Sequence, residues 1–198
     1  MEAKESILQA ARELFVTKGF KGTSIRDIAT ASGSNVAMVN YYFKSKYNLF
    51  EIIFDEAFGV LIERLSQTFQ SDKSFFEIIE EWVNVYYETL LRYPQIPVFI
   101  LNEINQNPKA LAVRIRKKDP FNLLQQMEKK MREEQEKGTI KEFSPMDFFL
   151  NVLSMCIFPF AFRDVAVSVA GRTDEEYDEV LENHKKYVVL FATEAIRK

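Results

Sequence analysis

An all-α fold of about nine to ten helices is predicted by three observations. Helix-start signals recur along the whole chain, the apolar residues between them repeat at intervals of three and four, and no stretch sustains the two-residue alternation of a half-buried strand. The 198 residues, 47% of them hydrophobic, suffice for one sizeable core or two small ones. There are no internal repeats, no low-complexity segment and no linker of disordered composition.

The first predicted helix covers about residues 2–18, with Ile7, Ala11, Leu14 and Phe15 on one face and Lys4, Glu5, Arg12 and Glu13 on the other. Gly19 ends it, and Phe20 is placed to plug a small core of Leu14, Ile28, Val39 and Phe43. Ser24 and Asp27 form a capping-box pattern that opens a second helix, whose Ile25, Ile28 and Ala29 point inward. Gly33 supplies the left-handed residue that stops it. A third helix follows at once, over roughly 35–42, with Val39 and Phe43 inward and Asn35, Val36, Met38, Asn40 and Tyr41 outward. Two helices of about two turns, joined by a short glycine turn at about 25–44, make a helix-turn-helix pattern, whose second helix fits the DNA major groove. Ser45 then caps a long helix that carries Leu49, Ile52, Ile53, Phe54, Ala57, Val60 and Leu61 to about Phe69.

Beyond it, Ser74 and Glu77 open a helix to Tyr93 that is apolar or aromatic almost all round, and such a helix must be central. A short helix is expected from Pro97 to Gln106. Asn107-Pro108 and Asp119-Pro120 read as N-cap and N1 pairs starting two more, the latter closed by Gly138. Ser144-Pro145 opens a helix expected to run through Val167, bent at Pro159. Thr173 and Glu176 cap a final helix over about 174–197.

The net charge of −3 would argue against a nucleic-acid partner if it were spread evenly. Up to Phe50, however, seven basic residues outnumber four acidic ones, which points to a phosphate-facing end and an acidic body. Cys156 is the single cysteine, so no intrachain disulfide or cysteine metal cluster can form, in keeping with a cytoplasmic location. No signal peptide is visible, and the most apolar run, 148–162, falls short of a bilayer span, so no membrane partner is expected. No metal site and no cofactor are expected, and catalysis is poorly supported. His184 is the one histidine, and no glycine-rich phosphate loop or metal-spaced cluster accompanies it.

From Ala10 to Phe50 the run AARELFVTKGFKGTSIRDIATASG, then YYFKSKYNLF, closely resembles the amino-terminal DNA-binding domain of the tetracycline-repressor (TetR) family of bacterial regulators. One departure stands out. Where that family usually shows V-S-x-G-T-L-Y after the turn glycine, this chain has Ser34, Asn35, Val36, Ala37, Met38, Val39 and Asn40, so scaffold positions match while base-facing ones differ. The resemblance implies a DNA-binding domain over 1–62 and a helical effector-binding and dimerisation domain over 63–198. It also implies a ligand-responsive regulator, most simply a repressor released from a palindromic DNA operator by a small molecule. In that family, movement of the long helix changes the separation of the two reading heads of a dimer. A helical DNA-binding or interaction module without a ligand is the alternative.

Carried over by position, the family's DNA contacts fall on Ser24, Arg26, Val36, Ala37, Met38, Asn40, Tyr41, Tyr42 and Lys46. The residues themselves add Asn35 and Lys44. Asn40 and Asn35 suit hydrogen bonds to adenine, Val36, Ala37 and Met38 suit a thymine methyl, and Arg26 suits a guanine or a phosphate. Ser24, Tyr41, Tyr42, Lys44 and Lys46 suit phosphates, which position a protein without reading sequence. In the second domain Trp82, Tyr86, Phe99, Asn102, Glu103, Met127, Met131 and Phe149 could line a pocket for an apolar or aromatic effector, although each alone is an ordinary core or surface residue. Tyr177, Leu181, His184, Val188 and Phe191 form one apolar stripe on the last helix and are expected at a homodimer interface, the alternative being that they close the monomer's own core.

Overall fold

In the computed structural model, which describes residues 2–198, the amino-terminal end is built on three helices. α1 (Glu2–Gly22) lays Ile7, Ala11 and Phe15 over α2 (Ile25–Ala31) and α3 (Val36–Phe43). Its regular path breaks at Gly19 (φ 69°, ψ 170°), a conformation that costs glycine nothing. That break folds Phe20 back onto Phe15 and Phe50, at ring separations of 5.6 and 5.3 Å.

α4 (Lys46–Gln70) joins this end to the rest. At 25 residues it spans roughly 38 Å. Its lower half is braced by α6 (Ile96–Gln106) and α7 (Pro108–Arg116): Phe99 packs on Phe50 and Phe54 at 4.9 and 5.1 Å, and Arg114 pairs with Glu51 and Asp55. The Gln95 amide reaches across to donate to the Phe15 carbonyl in α1. The upper half packs on α5 (Phe75–Arg92) and α8 (Pro120–Glu136).

α5 is central, as its all-round apolar pattern requires. Ten of its residues are buried, and α4, α8, α9 (Pro145–Ala161) and α11 (Asp174–Ile196) surround it. The Ser24/Asp27, Ser74/Glu77 and Thr173/Glu176 capping boxes all form, with serine or threonine oxygens accepting from N3 amides. Asn107 differs from its predicted role. Its side chain makes no cap bond and instead donates to the Glu103 carboxylate at 3.5 Å.

Eleven helices are described, one more than the upper expectation, because the helix predicted through Val167 is two. α9 stops at Ala161 and α10 (Arg163–Ala170) leaves at 56°. Pro159 lacks an N–H to continue the ladder, and its carbonyl accepts from the Tyr177 hydroxyl at 2.9 Å. Arg163, the first residue of α10, then bonds Asp178 at 2.6 Å and Asp174 at 3.2 Å, which pins the new direction onto α11. Among the described residues no strand forms beyond one isolated bridge between Ile140 and Arg197. No single described helix is long and apolar enough to cross a membrane; α9 and α10 meet that test only as a bent pair.

Candidate nucleic-acid interface and helical body

The turn between α2 and α3 is set by hydrogen bonds on both sides of Gly33. The Gly33 N–H donates to Thr30 O at 3.2 Å and the Ser34 N–H to Ala29 O at 2.9 Å, a Schellman closure that needs a left-handed residue, and Gly33 has φ 65°. Asn35 caps the next helix, its Oδ1 accepting from the Met38 N–H at 2.8 Å. Val39 and Phe43 enter the core with Ile28 and Ala29. The opposite face, Val36, Ala37, Asn40 and Tyr41, is exposed, with Tyr41 at 81%. At 100° per residue these four share an arc of about 140°.

Several predicted contact residues have structural duties. Ser24 accepts from the Asp27 N–H at 3.1 Å, while its hydroxyl and its own N–H donate to the Asp27 carboxylate at 2.6 and 2.8 Å and hold that carboxyl below its usual range. Asn35 accepts the cap bond with its oxygen, which ties its side chain to the start of α3. Met38 is half-buried and lies off the exposed arc, and Tyr42 leans edge-on against Tyr41 at 5.2 Å. The largest revision concerns Lys46. Its ammonium donates to the carbonyls of Phe20 and Thr23, both at 2.7 Å, and sits 4.3 Å from the Phe20 ring, so it clamps the α1–α2 loop to α4. Its short reach inward was not legible from a motif that records only its position.

Arg26 and Lys44 remain exposed and form no ion pair among the described residues. Lys44 has φ 63° and ψ −43°, and the Ser45 N–H bonds the Phe43 carbonyl at 2.7 Å across it. This is a γ-turn of the rare positive-φ kind, which is strained for a residue with a Cβ.

The residues predicted to line a pocket are divided between two places. Trp82 packs with Tyr86 and Phe149, the latter stacked at 5.9 Å, and with Phe69 and Phe148. Met127 and Met131 of α8 are buried in the same continuous core. Phe99 and Glu103 belong elsewhere, at the foot of α4 beside Tyr47. Burial, and then the Glu103 carboxylate, push the Tyr47 phenol upward. Glu103 is buried and Asn102 is exposed, the helix turning about 100° from one to the next. The Trp82 indole N–H is buried with no hydrogen-bond partner among the described residues, an unsatisfied donor that calls for an explanation. Two open recesses of about 640 and about 420 Å³ flank α8 at residues such as Arg132 and Glu136, and neither is lined by a predicted pocket residue.

The expected interface stripe is also corrected. Tyr177, Leu181 and Val188 are buried inside the monomer, and His184 turns the same way to bond the Tyr87 hydroxyl at 2.6 Å. Burial pushes the His184 imidazole down. Only Phe191 of the five faces outward, 61% exposed. The physical reason is that α11 carries a second apolar stripe, Val180, Tyr187, Leu190 and Phe191, and α5 and α9 bury the first. α9, which packs against α11, also exposes Met146, Leu150 and Phe158. Spacings of seven, ten and eleven from Val180 were visible in the sequence as a signal for the second stripe.

Residues 7–53 match the profile of "Bacterial regulatory proteins, tetR family". The "Probable HTH-type transcriptional regulator YttP" of Bacillus subtilis (strain 168) is 45% identical over 56 residues, 28% of this chain and 27% of that protein. The HTH-type transcriptional regulator RutR of Escherichia coli (strain K12) is 30% identical over 92 residues, 46% of this chain and 43% of that protein. The matched segments thus span less than half the length of either relative, and both relatives are named as transcriptional regulators. Across nearly the whole chain the fold is similar to the TetR family regulator PfmR from Thermus thermophilus, with TM-score 0.65, 21% identity and coverage of 92% and 96%. It is also similar to the fatty acid degradation regulator FadR from Bacillus halodurans, with TM-score 0.63, 16% identity and coverage of 94% of each chain. Residues 7–53 thus match the tetR-family profile in sequence, and the fold of the chain as a whole is similar to that of solved TetR-family regulators.

Proposed function

We propose that this protein is a regulator of transcription that binds a palindromic DNA operator as a homodimer, most simply as a repressor that a small-molecule effector releases. The observation that carries the reading is the exposed face of α3, held in fixed orientation by the Gly33 closure, the Asn35 cap and the Val39–Phe43 anchor. A rigid two-turn helix with an uncommitted polar and apolar surface suits the major groove. One such helix gives little affinity, whereas a two-fold pair doubles the phosphate contacts. The apolar face of α9 and α11 supplies the pairing surface, and the chain then divides within α4 at about residue 62 into reading and regulatory parts. Cytoplasmic location follows from this role.

The effector site is assigned to the Trp82, Tyr86 and Phe149 layer, where an unpaired indole N–H would meet an acceptor on an apolar or aromatic ligand. Trp82 is the only tryptophan, so its emission reports that layer alone. Full-length protein should bind a selected duplex with a log-log salt slope of roughly −0.9 per neutralised phosphate. An effector should change Trp82 emission over the same concentrations at which it releases DNA. Release with silent emission would move the site, and failure of every compound in a broad screen would favour a DNA-binding module without a ligand.

A further inference from the structure

The exposed arc of α3 contains no charged side chain: Val36, Ala37, Asn40 and Tyr41 offer methyl groups, one amide and one phenol. This matters because the side chains that read G·C pairs in the major groove are chiefly arginine or lysine on guanine and a carboxylate on cytosine. Asn40 is exposed, and its side chain has no hydrogen bond within the described residues, unlike Asn35, whose oxygen is held by the cap. An amide free at both ends can pair with the N6 and N7 edge of adenine. Val36 and Ala37 lie one turn earlier on the same arc, where only a thymine methyl gains from contact with them. The two nearby lysines do not alter this surface: Lys46 is withdrawn onto the Phe20 and Thr23 carbonyls, and Lys44 lies past the end of the helix in its γ-turn. From Val36 to Tyr41 the helix rises about 7.5 Å, or two to three base-pair steps of about 3.4 Å.

We infer that the two to three consecutive base pairs facing Val36, Ala37, Asn40 and Tyr41 in each half-site are A·T pairs. Any required G·C pair lies at the edge of that run, within reach of the unpaired guanidinium of Arg26 at the start of α2. This rests on the DNA-binding reading and gives that site a sequence class.

The test is selection of full-length protein on a random duplex library, followed by titration of defined duplexes. The expected half-site has an inner run of A·T pairs, and replacing one of them by G·C should weaken binding about 5- to 150-fold. Replacing thymine by deoxyuridine in the run removes only the methyl and should weaken wild-type binding measurably. Asn40→Ala should abolish discrimination at one A·T pair while leaving affinity for random duplex unchanged, and Asn40→Arg should shift that pair's preference towards guanine. An enriched half-site with G·C pairs in the inner run, whose preference survives Asn40→Ala, would overturn the inference while leaving DNA binding intact. Absence of salt-dependent binding to any duplex would overturn the DNA-binding reading and the inference with it.

Discussion

α3 and α11 both carry apolar residues on more than one side, yet α3 is two turns long and α11 carries two long apolar stripes. In α3 Val39 and Phe43 are the residues that enter the core, and the Asn35 cap and the turn at Lys44 fix the ends of its eight residues. In α11 the stripe through Leu181 and Val188 and the stripe through Tyr187 and Phe191 compete for the same interior. The first wins because Tyr177 and His184 carry polar ends that find the Pro159 carbonyl and the Tyr87 hydroxyl inside. A short helix can therefore be oriented from its own residues, and a long one with two apolar faces only from its neighbours.

The contrast is broken most severely by moving a charge between the two stripes of α11. Leu181→Arg places an unpaired guanidinium in the monomer core and should cost about 3 to 5 kcal/mol, seen as loss of the cooperative thermal transition. Phe191→Arg should leave the melting curve in place and convert dimers to monomers in sedimentation. Monomers of normal stability from Leu181→Arg would restore the inner stripe as the interface. On the α3 side, Gly33→Ala forces a Cβ into φ 65° and should cost about 1 to 2 kcal/mol in urea unfolding. Among the described residues nothing stands within 4 Å of the added Cβ, so the loss comes from the backbone.

The smallest effect is one of pH. His184 has a folded pKa below its unfolded value, so as pH falls the unfolded chain takes the proton first. The stability that neutral His184 permits is complete above the unfolded pKa of about 6.5 and declines from there towards the lower folded value. Among the described residues the ionisable side chain bonded to its ring is the Tyr87 phenol, itself pushed up by burial and neutral throughout that window. His184→Gln should flatten the pH dependence of the melting temperature between pH 7 and 5.

Much of the fold was legible because its punctuation is local. Ser24, Ser74 and Thr173 act through atoms three residues away, and a window of four residues contains the whole interaction. The α9–α10 break was only half legible: Pro159 announced a bend, but the partner that fixed it, Tyr177, lies 18 residues on. For the site, the exposed arc of α3 was readable from the positions of Val39 and Phe43. The withdrawal of Lys46 was not, because it depends on two carbonyls left open by the turn after Gly19. The scattering of the pocket residues has the same origin, since Phe99 and Trp82 share a composition but belong to different layers.

The γ-turn at Lys44 has a consequence for how such a protein ages and adapts. Selection for endurance in heat alone would not keep lysine there, since glycine enters the same backbone shape without the strain, which is of order 1 to 3 kcal/mol. Lysine in that corner sets its ammonium at the carboxy-terminal end of α3, the helix proposed to face DNA. Lys44→Gly should thus outlast its parent in a thermal challenge while the salt slope of DNA binding falls by about 0.9 per subunit. In the proposed regulator, durability and grip on DNA would be traded at this one residue.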